Sequence, residues 1–200
     1  MSEQRSGHTG RRPGPRSTRD DILEAARSLF AERGYEGASI RGIAAQAGVD
    51  PALIRHFFHD KDGLFEATVT AEFGATVAFP AELANATPGI GARVARSYLG
   101  MWDDPDSGPR VIALMRTVLS SEEAMNRLRA VIVRTLGAGV PPAALTPERA
   151  ARLNLALSKL LGIAIARHIV RMPPLAALTL DEVVALVADD IEELLLTPEG

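Results

Sequence analysis

The chain has 200 residues, 46% hydrophobic and 4% aromatic, with a formal net charge of −3 and no cysteine. This is enough apolar material for a packed core in one or two domains. Without cysteine, disulfides and thiolate metal sites are excluded. The sequence shows no uninterrupted apolar run of about 18 residues, so a cytoplasmic chain without a membrane span is expected. Arg11-Arg12 is followed by charged, amphipathic sequence rather than the apolar stretch of an export signal. The charge is unevenly spread. Residues 1–19 carry five arginines (Arg5, Arg11, Arg12, Arg16 and Arg19) against Glu3, whereas Asp181, Glu182, Asp189, Asp190, Glu192 and Glu193 crowd the other end. Such asymmetry suits one end that meets phosphate; a solvated basic tail would look the same.

Residues 1–17, rich in Gly, Pro, Arg and Ser, read as a disordered basic arm. Thr18 is placed to cap a first helix with Asp20 and Asp21 in its first turn. Ile22, Ala26, Leu29 and Phe30 recur at helical spacing until Gly34 stops them. Ser39 caps a second helix that buries Ile40, Ile43, Ala44 and Ala47 and ends at Gly48. Asp50 caps a third, with Pro51 at the first helical position, where its missing N–H is harmless. Leu53, Ile54, Phe57 and Phe58 form its expected buried side, and Asp60 caps a fourth helix ending near Pro80.

Four or five more helices follow, and no strand. Ile90, Val94, Tyr98 and Met101 share one face, as do Val111, Met115, Val118 and Leu119. Ser120 with Glu123, and Thr179 with Glu182, read as capping boxes. A loop is expected from Gly137 to Pro142. Thr146-Pro147 then opens a long helix to about Arg171, and the last helix points Val183, Leu186, Ile191 and Leu195 inward. The fold class is all-α.

Two short helices about a glycine turn, the second bearing Arg55 and His56, form a helix-turn-helix pattern. The stretch from Thr18 to about Ala67 resembles the TetR family of bacterial transcriptional regulators. The likeness rests on the Thr-Arg-x-x-Ile-Leu-x-Ala-Ala opening, Phe30 with Gly34-Tyr35, and Ser39-Ile40-Arg41-x-Ile43-Ala44. It continues through Ala47-Gly48-Val49 and Phe58-x-x-Lys61-x-x-Leu64. The resemblance implies an N-terminal three-helix helix-turn-helix DNA-binding domain over 18–66. It also implies a C-terminal helical ligand-binding and dimerisation domain over 67–200. One departure stands out: the family commonly has Leu-Tyr-x-His-Phe where this chain has Ile54-Arg55-His56-Phe57-Phe58.

A helix in the major groove presents its N-terminal half to base edges, which places Asp50, Pro51, Ala52, Leu53, Arg55 and His56 near DNA. Arg55 can pair bidentately with guanine or simply meet phosphate. Ala52 and Leu53 offer surface to a thymine methyl, unless Leu53 is core. By resemblance, Arg41 reaches DNA, and Ser39 and Lys61 act as phosphate clamps. Arg11, Arg12 and Arg16 either join them as an arm or stay solvated. His56 and His59 have helical metal-ligand spacing but no third ligand, and His168 reads as an interior histidine, so neither metal nor cofactor is expected.

No nucleophile–base pair or phosphate loop emerges, which leaves an enzyme reading without residues. The remaining rival is a helical interaction protein whose first helices only pack. Small residues on the long helix (Ala156, Gly162, Ala164 and Ala166) are expected to admit a partner helix. Met101, Trp102, Met115, Arg116 and Met125 are candidate effector contacts, with core packing an equal account. The function expected is a ligand-responsive, homodimeric regulator, a repressor released from a palindromic double-stranded DNA operator by a small-molecule effector.

Overall fold

The computed structural model describes residues 17–73, 87–139 and 146–196, all helix and connecting turn with no strand among them. The arm through Arg16 and the expected helix end near Pro80 lie outside the described residues. Helices α1 (Thr18–Gly37), α2 (Ile40–Ala47), α3 (Pro51–Phe58) and α4 (Lys61–Phe73) form the first unit. Then come α5 (Ile90–Asp103), α6 (Gly108–Leu119), α7 (Glu122–Gly139) and α8 (Pro147–Ala164). The last of these continues as a π-helical segment, Ile165–Val170, before the short α9 (Pro173–Ala176) and α10 (Leu180–Leu196).

Local chemistry sets most boundaries, with some offsets from expectation. Ser17, not Thr18, is the first cap: its Oγ accepts from Asp20 N at 3.3 Å while the Asp20 carboxylate reaches back. Ser17 holds the extended backbone that a cap needs, which leaves Thr18 as the first helical residue. Likewise Ser121 rather than Ser120 caps α7, accepting from Ala124 N at 3.2 Å, because Ser120 still closes α6. The expected loop at Gly137 starts later, as α7 runs to Gly139. Thr179 and Glu182 form the box read from sequence.

Gly34 bends α1 (φ 70°, ψ 175°) and turns Tyr35 inward. There Phe30, Tyr35 and Phe65 meet with centroids 5.0–5.9 Å apart, a cluster joining α1 to α4. In the second unit α5 lies against α10 almost backbone to backbone. A Cβ on Gly91 would stand 2.1 Å from the Ala188 carbonyl oxygen, and the Glu192 carboxylate caps α5 by accepting from Gly89 N and Gly91 N at 3.0 and 3.2 Å. Leu186 is 72% exposed because it falls off the inward stripe Val183–Val184–Ile191–Leu195, and Leu119 turns outward at the end of α6.

Among the described residues Pro147–Val170 make one helix that is, by length and composition, apolar enough to cross a membrane, although Lys159 and Arg167 interrupt its apolar run. Here it lies against α5 and α10, burying Leu153, Ala156, Leu160 and Ala164. Ala156 and Ala164 therefore serve their own subunit's core, while Gly162 has open space around it. The π turn swings Arg167 into the interior, where it bonds Asp103 at 3.1 Å and the Leu178 carbonyl at 2.8 Å.

Candidate nucleic-acid interface

Helix α3 is held by its cap and by one apolar edge. Asp50 Oδ1 accepts from Ala52 N at 2.7 Å, Pro51 occupies the first turn, and Gly48 (φ 68°) closes α2 just before it. Only Ile54 and Phe58, one turn apart, are buried. Leu53 and Phe57 are each 39% exposed, which corrects the four-residue buried side read from sequence: they flank the inward edge at helical spacing without joining it. Opposite that edge stand Ala52 and His56, with Arg55 on the other flank, all exposed.

The outward surface is cationic. Arg41 on α2 and Arg55 on α3 are exposed and take no part in the ion pairs found among the described residues. Ser39 is exposed, but its Oγ already accepts from Gly42 N at 3.1 Å as the cap of α2. Lys61 is partly engaged: its ammonium donates to the Tyr35 carbonyl at 3.1 Å and lies 4.3 Å from that ring's centroid. The nine positions read from sequence thus cluster around α2, α3 and the start of α4, but Asp50, Ser39 and Lys61 also hold the unit together. Arg19, counted in the sequence with the basic N-terminal end but not among the nine positions, sits 5.2 Å over the Phe58 ring. His56 and His59 gather no third ligand; no metal-binding group of three exists among the described residues.

Polar links among the described residues tie this unit to the rest. Thr117 Oγ1 on α6 donates to the Phe30 carbonyl at 3.0 Å. Glu72 on α4, its side chain 3% exposed, pairs with Arg27 of α1 at 2.5 Å and Arg110 of α6 at 3.1 Å. At the start of α4, Asp62 accepts from the Tyr35 hydroxyl and from Arg127 of α7, which also holds Glu123 at 2.8 Å. Burial, and then the Asp62 bond, push the Tyr35 phenol above its ordinary range. Arg134 reaches Glu66 at 2.9 Å, so two cations of α7 hold two acids of α4.

Behind those cations α7 turns its apolar face to a cavity of about 140 Å³. Leu128, Val131 and Ile132 form that wall, Val69 and Phe73 of α4 another, and Met115 of α6 a third. Of the five effector contacts read from sequence, only Met115 lines it. Trp102 stacks on His168 at 5.9 Å, Met101 is buried in the α5 core, Arg116 faces outward, and Met125 packs at the core's edge. The side chains that do line it with Met115 come from five helices, which periodicity within one helix cannot assemble.

Residues 22–68 match the family model of bacterial regulatory proteins, tetR family, and residues 89–195 match that of the tetracyclin repressor-like C-terminal domain. The chain belongs to the TetR family. A TetR-family regulator from Streptomyces coelicolor A3 is 32% identical in sequence with a TM-score of 0.68; the match covers 94% of this chain and 99% of that one. The fatty acid degradation regulator FadR of Bacillus halodurans shares the fold (17% identity, TM-score 0.57, 95% of this chain and 100% of that one). The transcriptional repressor AcnR of Corynebacterium glutamicum is 47% identical over 53 residues, 26% of this chain and 28% of that protein. The regulator BetI of Yersinia pestis is 45% identical over 51 residues, 26% of each chain. The chain thus spans about a quarter of the length of these curated relatives. Arg55 and Phe57, the two departures noted in the sequence, are both exposed on α3.

Proposed function

We propose that this protein is a homodimeric transcriptional repressor that binds a palindromic operator through α3 and is released by a small molecule taken up in the C-terminal domain. The observation that carries the reading is the exposed set Arg41, Arg55 and His56 around a capped helix whose other side is buried in its own unit. A purely structural three-helix unit has no use for unpaired cations there, whereas phosphate and base edges do. The names of the AcnR relatives, all repressors, support the sign of regulation.

Dimerisation is supported by the apolar side chains that α8 and α10 leave outside: Leu155 is 50% exposed and Leu186 72%. A two-fold pair then presents two α3 helices to two half-sites. Release follows from α7, which lines the cavity with one face and holds α4 through Arg127 and Arg134 with another. A ligand that shifts α7 loosens Asp62 and Glu66 at the root of α3, and effector and operator oppose each other by about 1–3 kcal/mol.

The test is a mobility-shift series on operators selected from random duplexes, run at increasing salt. Binding should weaken steeply with salt, and Arg41→Ala and Arg55→Ala should each lower the logarithmic salt slope by about 1 when the residue meets phosphate. A protein with no affinity for any duplex would instead be a helical interaction module.

A further inference from the structure

We propose that the cavity between α4, α5, α6, α7 and α8 takes a compact, uncharged, apolar molecule of roughly benzene to cresol size, with one polar group directed to Asn154 at its mouth. This rests on the regulator reading only in naming that molecule the effector. The size follows from the volume of about 140 Å³, close to that of an engineered apolar cavity of ~150 Å³ that stays dry and accepts benzene. Charge is excluded by the walls. None of the described residues lining the cavity bears an ionisable acid or base apart from the Tyr98 phenol, and burial pushes that phenol above its ordinary value, keeping it neutral. A carboxylate or ammonium placed inside would lose its hydration with no counter-ion to meet it.

Apart from the Tyr98 hydroxyl, the polar groups of the lining stand on one side. Asn154 and Ser158 lie one turn apart on α8, both exposed at the opening, while the deep walls are Val69, Phe73, Met115 and Leu128. The Ser158 hydroxyl already donates to the Asn154 carbonyl at 2.7 Å. The Asn154 carboxamide, which both donates and accepts, is therefore the group that orients a ligand hydroxyl or carbonyl. A buried apolar body with its polar end at the rim is the arrangement expected of a small-molecule site.

Calorimetric titration of the free full-length protein with toluene, p-cresol, benzoate and benzylammonium tests this directly. Toluene and p-cresol should bind, p-cresol about 2- to 10-fold more tightly through one added hydrogen bond, and the two ions at least tenfold more weakly than p-cresol. Asn154→Leu should erase the advantage of p-cresol and leave toluene binding intact. Leu157→Phe and Val131→Phe, which fill the space from opposite walls, should each weaken toluene at least tenfold; two positions guard against one variant failing to fold, which its melting curve reports. Benzoate or benzylammonium binding as tightly as p-cresol, no binding of either neutral probe, or undiminished toluene binding by a filled, folded variant would overturn the proposal. No DNA enters the titration, so its failure leaves operator binding standing, and a failed mobility shift leaves the ligand result standing.

Discussion

Glu72 is the most demanding electrostatic position in the described structure. Its side chain is 3% exposed, and its two cations are themselves unequally wet, Arg27 at 22% and Arg110 at 42%. Removing the outer one, Arg110→Ala, leaves Arg27 in place and should cost about 1 kcal/mol; Arg27→Ala should cost about 1–2 kcal/mol. Removing both strands a buried carboxylate, for which about 3–5 kcal/mol is typical. A cleft of about 200 Å³ alongside, bordered by Glu24, Ser28 and Pro109, gives water a route to the carboxylate and sets the expected loss near the low end, but above the sum of the singles by about 1 kcal/mol. Adding Glu72→Met to the double variant removes the stranded charge and should recover about 2 kcal/mol. Urea unfolding at fixed protein concentration and neutral pH reads all four. If the double equals the sum of the singles within about 0.5 kcal/mol, or methionine brings no recovery, the triad is not the buried charge centre described here.

Asp50→Ala should cost about 0.5–2 kcal/mol in the same assay by uncapping α3, with Asp50→Asn close to wild type. Gly91→Ala drives a methyl into the Ala188 carbonyl and should cost about 1–3 kcal/mol or more, lowering the melting temperature while leaving the cavity's own walls unchanged. His168 gives a pH signature. Burial lowers its pKa below 6.5, against the opposing Asp103 carboxylate, so the unfolded chain takes up the proton first. The stability from neutral His168 is complete above about pH 6.5 and is lost as pH falls through and below that value. Because His168 stacks on the sole tryptophan, Trp102, indole fluorescence of the folded protein should titrate with a midpoint below 6.5. Asp103→Asn should move it lower still and His168→Gln should abolish it; a midpoint above 6.5 would contradict the assigned burial.

What could be read from the sequence was what neighbours along the chain decide. Ser39, Gly48, Asp50-Pro51 and Thr179 with Glu182 act within four residues of themselves, and the structure has each in the expected place. Even the misplaced caps moved by a single residue, Thr18 to Ser17 and Ser120 to Ser121, since adjacent hydroxyls differ only in which one holds extended backbone. Periodicity located the inward edge of α3 but not its width: Leu53 and Phe57 look as buried as Ile54 and Phe58 until a partner helix is present to choose between them. Pairings across long separations were invisible. Arg127 meets Asp62 65 residues away, and Thr117 meets Phe30 across 87. The cavity walls belong to the same class, as does the inward turn of Arg167, which depends on the wider π-helical path.

The Glu192 cap on α5 carries a consequence for the order of synthesis. Helices α1–α4 find their partners for the Phe30–Tyr35–Phe65 cluster and the α3 edge within residues 17–73. Helix α5 waits instead for a carboxylate 103 residues downstream, and its Gly91 for a backbone just before it. At translation rates of about 5–20 residues per second, that is an interval of roughly 5–20 s. During it the emerging chain holds a nearly complete reading head while the side of α5 that α10 will cover stands open on the ribosome.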